Sequence, residues 1–155
     1  MNRSKTALKA LVAAAALAVP VGLTIPAQAT TSNGCTVTPS TPFANGDIDA
    51  GGVKQVDYKA SVSCTGAYTI YVTQQRWEQD TPGGDDLIGT STLTHTFPAG
   101  GGALTWTVTG DLPDWDGALD NYAEVYQATK FKVRNGAVTS SYTAYQNSAV
   151  RSIHQ

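Results

Sequence analysis

Histidine and cysteine are nearly absent: the 155 residues hold two of each, His95 and His154, Cys35 and Cys64. No Cys-x-x-Cys pair exists and the histidines stand far apart, so a zinc site lacks ligands. Hydrolytic triads need a histidine beside a nucleophile. His95 lies in a Thr-rich stretch and His154 next to the last residue, neither near a Gly-x-Ser-x-Gly, and both are expected on the surface. Phosphate-cradling loops are missing too: Gly100-Gly101-Gly102 joins two predicted strands instead of opening a helix, and reads as a flexible turn. No stretch keeps a helical period of apolar residues. Catalysis and cofactors are therefore not expected.

What is present begins with a basic N-terminus. Arg3, Lys5 and Lys9 are followed by an apolar run over 11–25 built of Ala, Val and Leu, the order of a secretory signal peptide. Pro20 and Gly22 interrupt the run, which falls short of the roughly 20 residues of a membrane span. Ala27-Gln28-Ala29 supplies the small residues of a cleavage site, which gives a signal peptide over 1–29 and one domain over 30–155. An Arg-Arg pair for twin-arginine export is lacking, and Ser32-Asn33-Gly34 before Cys35 is no lipobox. A secreted protein with no membrane attachment after cleavage is expected, working as a monomer.

Cleavage removes three basic and no acidic residues, leaving seven basic against twelve acidic ones and a net charge of −5. An acidic surface disfavours nucleic acid as a partner. Two cysteines in an exported chain read as one disulfide, Cys35 with Cys64.

From residue 53 onward the sequence alternates with period two, rich in Thr, Val and Tyr and cut by Gly, Asn, Asp and Pro. Strands are predicted near 35–39, 53–64, 68–78, 87–97, 103–109, 122–134 and 137–153. Seven short strands in a domain this size suggest an all-β antiparallel sandwich. Leu104, Trp106 and Val108 alternate with threonines, which places Trp106 in the core. Val56, Tyr58, Ala60, Val62 and Cys64 share one parity, so the Cys64 sulfur is expected on the buried face. Pairing Cys35 with Cys64 centres a hairpin between residues 49 and 50, inside the Gly- and Asp-rich turn over 45–52, so the two thiols oppose each other.

Asn135-Gly136 is the strongest hairpin signal in the chain and predicts a two-residue turn. On that register Arg134 opposes Ala137, Val133 opposes Val138, Phe131 opposes Ser140, Thr129 opposes Tyr142 and Tyr126 opposes Tyr145. Val125, Phe131, Val133, Val138, Tyr142 and Ala144 then share a core face. Lys130, Lys132 and Arg134 form a basic stripe that reads as a solvated face blunting an edge.

Trp77 stands thirteen residues after Cys64, similar to the cysteine-to-tryptophan spacing of immunoglobulin domains, and Asp120-Asn121-Tyr122 resembles the segment leading to their tyrosine corner. On these residues the chain resembles the small secreted immunoglobulin-like β-sandwich proteins of actinobacteria. The resemblance implies about seven strands in two antiparallel sheets. It departs from antibody domains in having no cysteine over 122–134, so the disulfide would join neighbouring strands.

Opposite the expected core face lie Glu124, Tyr126, Lys130 and Lys132, with Tyr145 across from Tyr126. If strand 68–78 joins the same sheet with Ile70 and Val72 inward, Tyr71, Gln75 and Trp77 point outward beside them. Rings among amides and charges suit a sugar or a protein surface, because aromatic faces bury apolar area while polar neighbours fix orientation. A bulge near Trp77 would instead turn its ring into the core. Asp111, Asp114, Asp116 and Asp120 crowd one loop around Trp115; their spacing is not that of an EF-hand, and a solvated loop is the better reading than calcium. The expectation is a non-catalytic binding module for an extracellular protein or glycan, acting through Tyr71, Gln75, Trp77, Glu124, Tyr126 and Tyr145. The alternatives are an inhibitor of a hydrolase that presents the loop at 111–120, and a small glycosidase using Glu78 and Glu124.

Overall fold

The computed structural model describes residues 28–80, 83–113 and 121–155. Nearly all of the expected signal peptide, and Asp114, Asp116 and Asp120 of the acidic loop, lie outside the described residues. The described chain is all β: β1 (Thr30–Ser32), β2 (Cys35–Pro39), β3 (Phe43–Ile48), β4 (Lys54–Cys64), β5 (Thr69–Glu78), β6 (Asp86–Thr96), β7 (Gly102–Asp111), β8 (Tyr122–Asn135), β9 (Val138–Thr139), β10 (Gln146–Asn147) and β11 (Arg151–His154). Every pairing is antiparallel. In one sheet β4 is central, with β2 and β3 on one edge, β7 along the other, and β1 outside β2. In the other the order is β6-β5-β8, and β9, β10 and β11 take turns along the far edge of β8.

Period two carries this arrangement. Val56, Tyr58, Ala60, Val62 and Cys64 of β4 are buried, as are Ile70 and Val72 of β5 and Val125, Phe131 and Val133 of β8. Cys35 stands directly opposite Cys64 with Cα atoms 4.0 Å apart, and the two are disulfide-bonded. The hairpin that joins them is longer than a single turn, since β3 rejoins β4 before the chain reverses over 49–52. There the Asp49 carboxylate accepts from the Gly51 and Val53 N–H groups at 2.8 Å each, and Gly52 takes φ +88°.

Two apolar clusters share the interior. One gathers the disulfide, Val37, Val62, Ile70, Val72, Phe97, Phe131 and Val133. The other gathers Val56, Tyr58, Leu112, Ala123, Val125 and Ile153. At their junction stand two fully buried glutamines, Gln74 and Gln127. Gln127 Nε2 crosses between the sheets to the carbonyls of Ser40, 2.6 Å away, and Lys59, 2.7 Å away. Its Oε1 accepts from Gln74 Nε2, which also reaches the Tyr58 carbonyl at 3.2 Å. The tie is local: β2 ends at Pro39 and β3 starts at Phe43, and in the break between them the Ser40 carbonyl turns to Gln127, while the Lys59 carbonyl, which also accepts from the Ser40 N–H at 2.8 Å, takes Gln127 as a second donor. Buried carbonyls must find donors.

Three expectations change. Leu104 and Trp106 face inward but are only half-buried, because β7 is an edge strand of its sheet and β6 an edge strand of the other. His95 is half-buried rather than on the surface, its ring edge-on to Phe97 at 4.6 Å. The flexible turn expected at Gly100-Gly101-Gly102 is tightly fitted: Gly101 has φ +74°, and a Cβ there would fall 2.2 Å from the Cys64 carbonyl oxygen.

The largest departure is the final hairpin. Asn135 pairs with Val138 and Arg134 with Thr139, two residues off the expected register, and the continuous strand over 137–153 is three short pieces. Between them, Ser140, Thr143 and Ser148 donate their N–H groups to the carbonyls of Val133, Phe131 and Gln127, each at 2.8 Å. The hydroxyls of the same three residues accept from the N–H groups of Val133, Phe131 and Gln127 at 3.0, 3.1 and 3.1 Å. Gln146 pairs with Thr129. A side-chain oxygen thus stands where a strand would offer its carbonyl, a known competition between Ser/Thr side chains and backbone. Along β8 the bonded residues step by two, whereas their partners 140, 143, 146 and 148 step by three, three and two. Val138 and Tyr142, placed in the core by period two, are 73 % and 45 % exposed, and Ala144 is exposed as well.

Candidate binding face

The outer face of the β6-β5-β8 sheet collects the side chains of interest. Register sets Tyr71 beside Lys132, Thr73 beside Lys130, Gln75 beside Ala128 and Trp77 beside Tyr126. Their neighbours on β6 are Thr94, Thr92 and Thr90, and then Leu87 after a bulge. The bulge anticipated near Trp77 exists, but in β6, so Trp77 keeps its outward direction and is half-buried.

Two halves of the face differ in character. At one end the Trp77 and Tyr126 rings stack, with planes 9° apart and centroids at 6.4 Å. The Tyr126 hydroxyl donates to Asp85 at 2.6 Å. Burial, and then that hydrogen bond, push the Tyr126 phenol well above its ordinary value, so it stays a donor at neutral pH. Only 9 % of Tyr126 is exposed, which makes it a support for Trp77 more than a contact surface. Glu124 is on this side too and accepts from the Ser152 hydroxyl at 2.8 Å.

At the other end lysines and tyrosines alternate. Lys132 Nζ lies 5.3 Å from the Tyr71 ring centroid and 4.9 Å from that of Tyr142. Lys130 Nζ lies 5.1 Å from Tyr142 and 4.6 Å from Tyr145. The result is a ladder in the order Tyr71, Lys132, Tyr142, Lys130, Tyr145. Each such contact contributes about 0.5–1 kcal/mol at an exposed site, so two per lysine offset much of the roughly 2 kcal/mol of rotamer entropy lost on holding it there. Tyr142 and Tyr145 face the same way because each precedes a residue bonded to β8 across the three-residue step.

Tyr71, Gln75, Trp77, Glu124 and Tyr126 thus share the outer face of one sheet, and Tyr145 joins it through Lys130. Sequence alone assigns Tyr142 to the core and, while placing Lys130 and Lys132 on this face, reads them as a stripe blunting an edge. β8 is an inner strand, flanked by β5 and by β9 to β11. The available signal was the recurrence Ser140, Thr143, Gln146 with a tyrosine before each of the last two.

The carboxylates of the glycosidase alternative are not brought together. Glu78 pairs with Val125 and points inward, fully buried, whereas Glu124 is on the opposite face. Of the four loop aspartates only Asp111 is described, accepting from Gln55 Nε2 at 2.6 Å. Among the described residues no group of three His, Cys, Asp or Glu side chains stands close enough to hold a metal. No protein-family model matches the chain, and no curated protein matches it.

Proposed function

We propose that the chain is an exported, non-catalytic binding module whose outer β6-β5-β8 face docks an extracellular glycan. The carrying observation is the ladder of Tyr71, Lys132, Tyr142, Lys130 and Tyr145, with both lysines ordered by rings on an open sheet face. Ring edges, phenolic hydroxyls and the Thr73, Thr92 and Thr94 hydroxyls offer a sugar both apolar contact and hydrogen bonds. A flat site fits a polymer better than a small metabolite, which asks for a concave pocket. The basic, then apolar, N-terminal segment and the paired cysteines support export.

The test is affinity electrophoresis of the domain over 30–155 in gels carrying soluble polysaccharides. Retardation in at least one gel, lost in the Tyr71→Ala, Tyr142→Ala double variant with an unchanged melting temperature, is expected. Equal retardation of the variant would place binding elsewhere.

A further inference from the structure

Charge narrows the ligand class. Lys130, Lys132 and Arg134 alternate along the outer side of β8, one pleat apart, about 6.6–6.8 Å per step. Among the described residues none of the three forms an ion pair; the ion pair found is Lys59 with Asp57, on the other sheet. Among the described residues the acids on this face, Asp85 and Glu124, sit at the Trp77 end and are engaged by Tyr126 and Ser152. Glu124 is six residues along β8 from Lys130, about 20 Å, well beyond the Debye length of about 8 Å in physiological salt. Locally the ladder is therefore a cationic surface, although the exported chain as a whole is acidic.

Resting on the proposed glycan-binding face, we infer that its ligand is a polyanionic polysaccharide carrying uronate carboxylates. A regular row of three cations matches an anion repeated along a polymer, not a single small anion. Ammoniums biased toward these positions by the rings lose less freedom when a carboxylate arrives than free ones would. Each lysine is a compact positive charge that donates hydrogen bonds to a carboxylate, and the tyrosines between them meet the sugar ring. Single-stranded nucleic acid fits less well, because it needs open ring faces for its bases to stack on. Here every ring of the ladder already has an ammonium beside it, two within 5.1 Å of the Tyr142 centroid and one each at Tyr71 and Tyr145.

The experiment compares polygalacturonate with its fully methyl-esterified form, which keeps the sugar backbone and removes the charge. Titration calorimetry is run on the domain over 30–155, its Lys130→Gln, Lys132→Gln variant and its Tyr71→Ala, Tyr142→Ala variant, with inorganic polyphosphate and a single-stranded oligonucleotide as further ligands. Expected are binding of polygalacturonate that weakens at least tenfold between about 50 and 500 mM NaCl, at least tenfold weaker binding of the ester, and at least tenfold loss in each variant. Equal affinity for the ester overturns the inference about charge and leaves the glycan-binding face standing. Binding of polyphosphate or the oligonucleotide as tight as that of polygalacturonate, insensitive to the tyrosine substitutions, overturns it as mere ion exchange. Binding of neither sugar polymer overturns the inference, and absence of retardation by every polysaccharide in the gels overturns the face itself.

Discussion

Tyr58 and Gln127 show how single residues set the interior. The Tyr58 ring is fully buried beneath Arg76, whose guanidinium is 5.8 Å from the ring centroid, and its hydroxyl has no hydrogen-bond partner among the described residues. Burial raises its pKa well above the ordinary phenol value, with Arg76 pulling the other way. The folded chain therefore holds this proton more tightly than the unfolded chain. The associated stability is complete below about pH 10 and declines as pH climbs beyond it. Tyr58→Phe should be neutral or stabilising by up to about 1 kcal/mol at pH 7, because an unpaired buried hydroxyl is removed. Its urea midpoint should also fall less steeply than the wild type's above pH 10; parallel declines would show that Tyr58 is not the group responsible. Gln127→Leu works in the opposite direction. It strips a donor from the Ser40 and Lys59 carbonyls and should cost about 1–3 kcal/mol in urea denaturation. A wild-type midpoint would mean that water replaces the amide.

At the scale of elements, β8 and the chain that follows it decide where the tyrosines go. Thr143→Val keeps the shape of the side chain but takes away the acceptor of the Phe131 N–H. A loss of about 1–3 kcal/mol, with faster amide exchange at Phe131, is expected; exchange unchanged at that amide would contradict the hydroxyl-for-carbonyl pairing. Gly101 tests the turn between β6 and β7, since alanine there must both adopt positive φ and displace the Cys64 and Thr65 backbone. The left-handed conformation alone costs about 1–2 kcal/mol, so Gly101→Ala should lower the melting temperature clearly, and a silent substitution would show that the turn relaxes freely. Reducing the disulfide, which spans a sequence separation of 29, should cost about 3–4 kcal/mol.

These elements also explain what was legible beforehand. The Cys35–Cys64 register followed from the centre of a Gly- and Asp-rich turn, and the inward parity of β4 and β5 followed from strict alternation. Tyr71 followed outward once strand 68–78 joined the sheet of β8, but Trp77 stayed open between face and core, because sequence does not say which strand carries the bulge beside it. Tyr142 could not be placed outward, because period two fails once serine and threonine hydroxyls replace backbone carbonyls and the step becomes three. The Gln74–Gln127 tie escaped as well: a glutamine in a strand gives no sign of a break in the opposite sheet that needs its donor.

Over the whole molecule, two apolar clusters joined by a polar layer hold a sandwich whose outer β6-β5-β8 face carries an ordered row of rings and ammoniums. Among the described residues the other sheet shows no comparable row: its one aromatic–cation contact on the outside is Lys59 over Phe43, at 4.3 Å. The proposed recognition thus falls on one side. Amide chemical-shift mapping during titration with a retarded polysaccharide tests that assignment most directly. The account predicts shifts concentrated at Tyr71, Thr73, Lys130, Lys132, Tyr142 and Tyr145, with β2, β4 and β7 quiet. Shifts gathered instead on β4 and β7, or over 111–121, would contradict it.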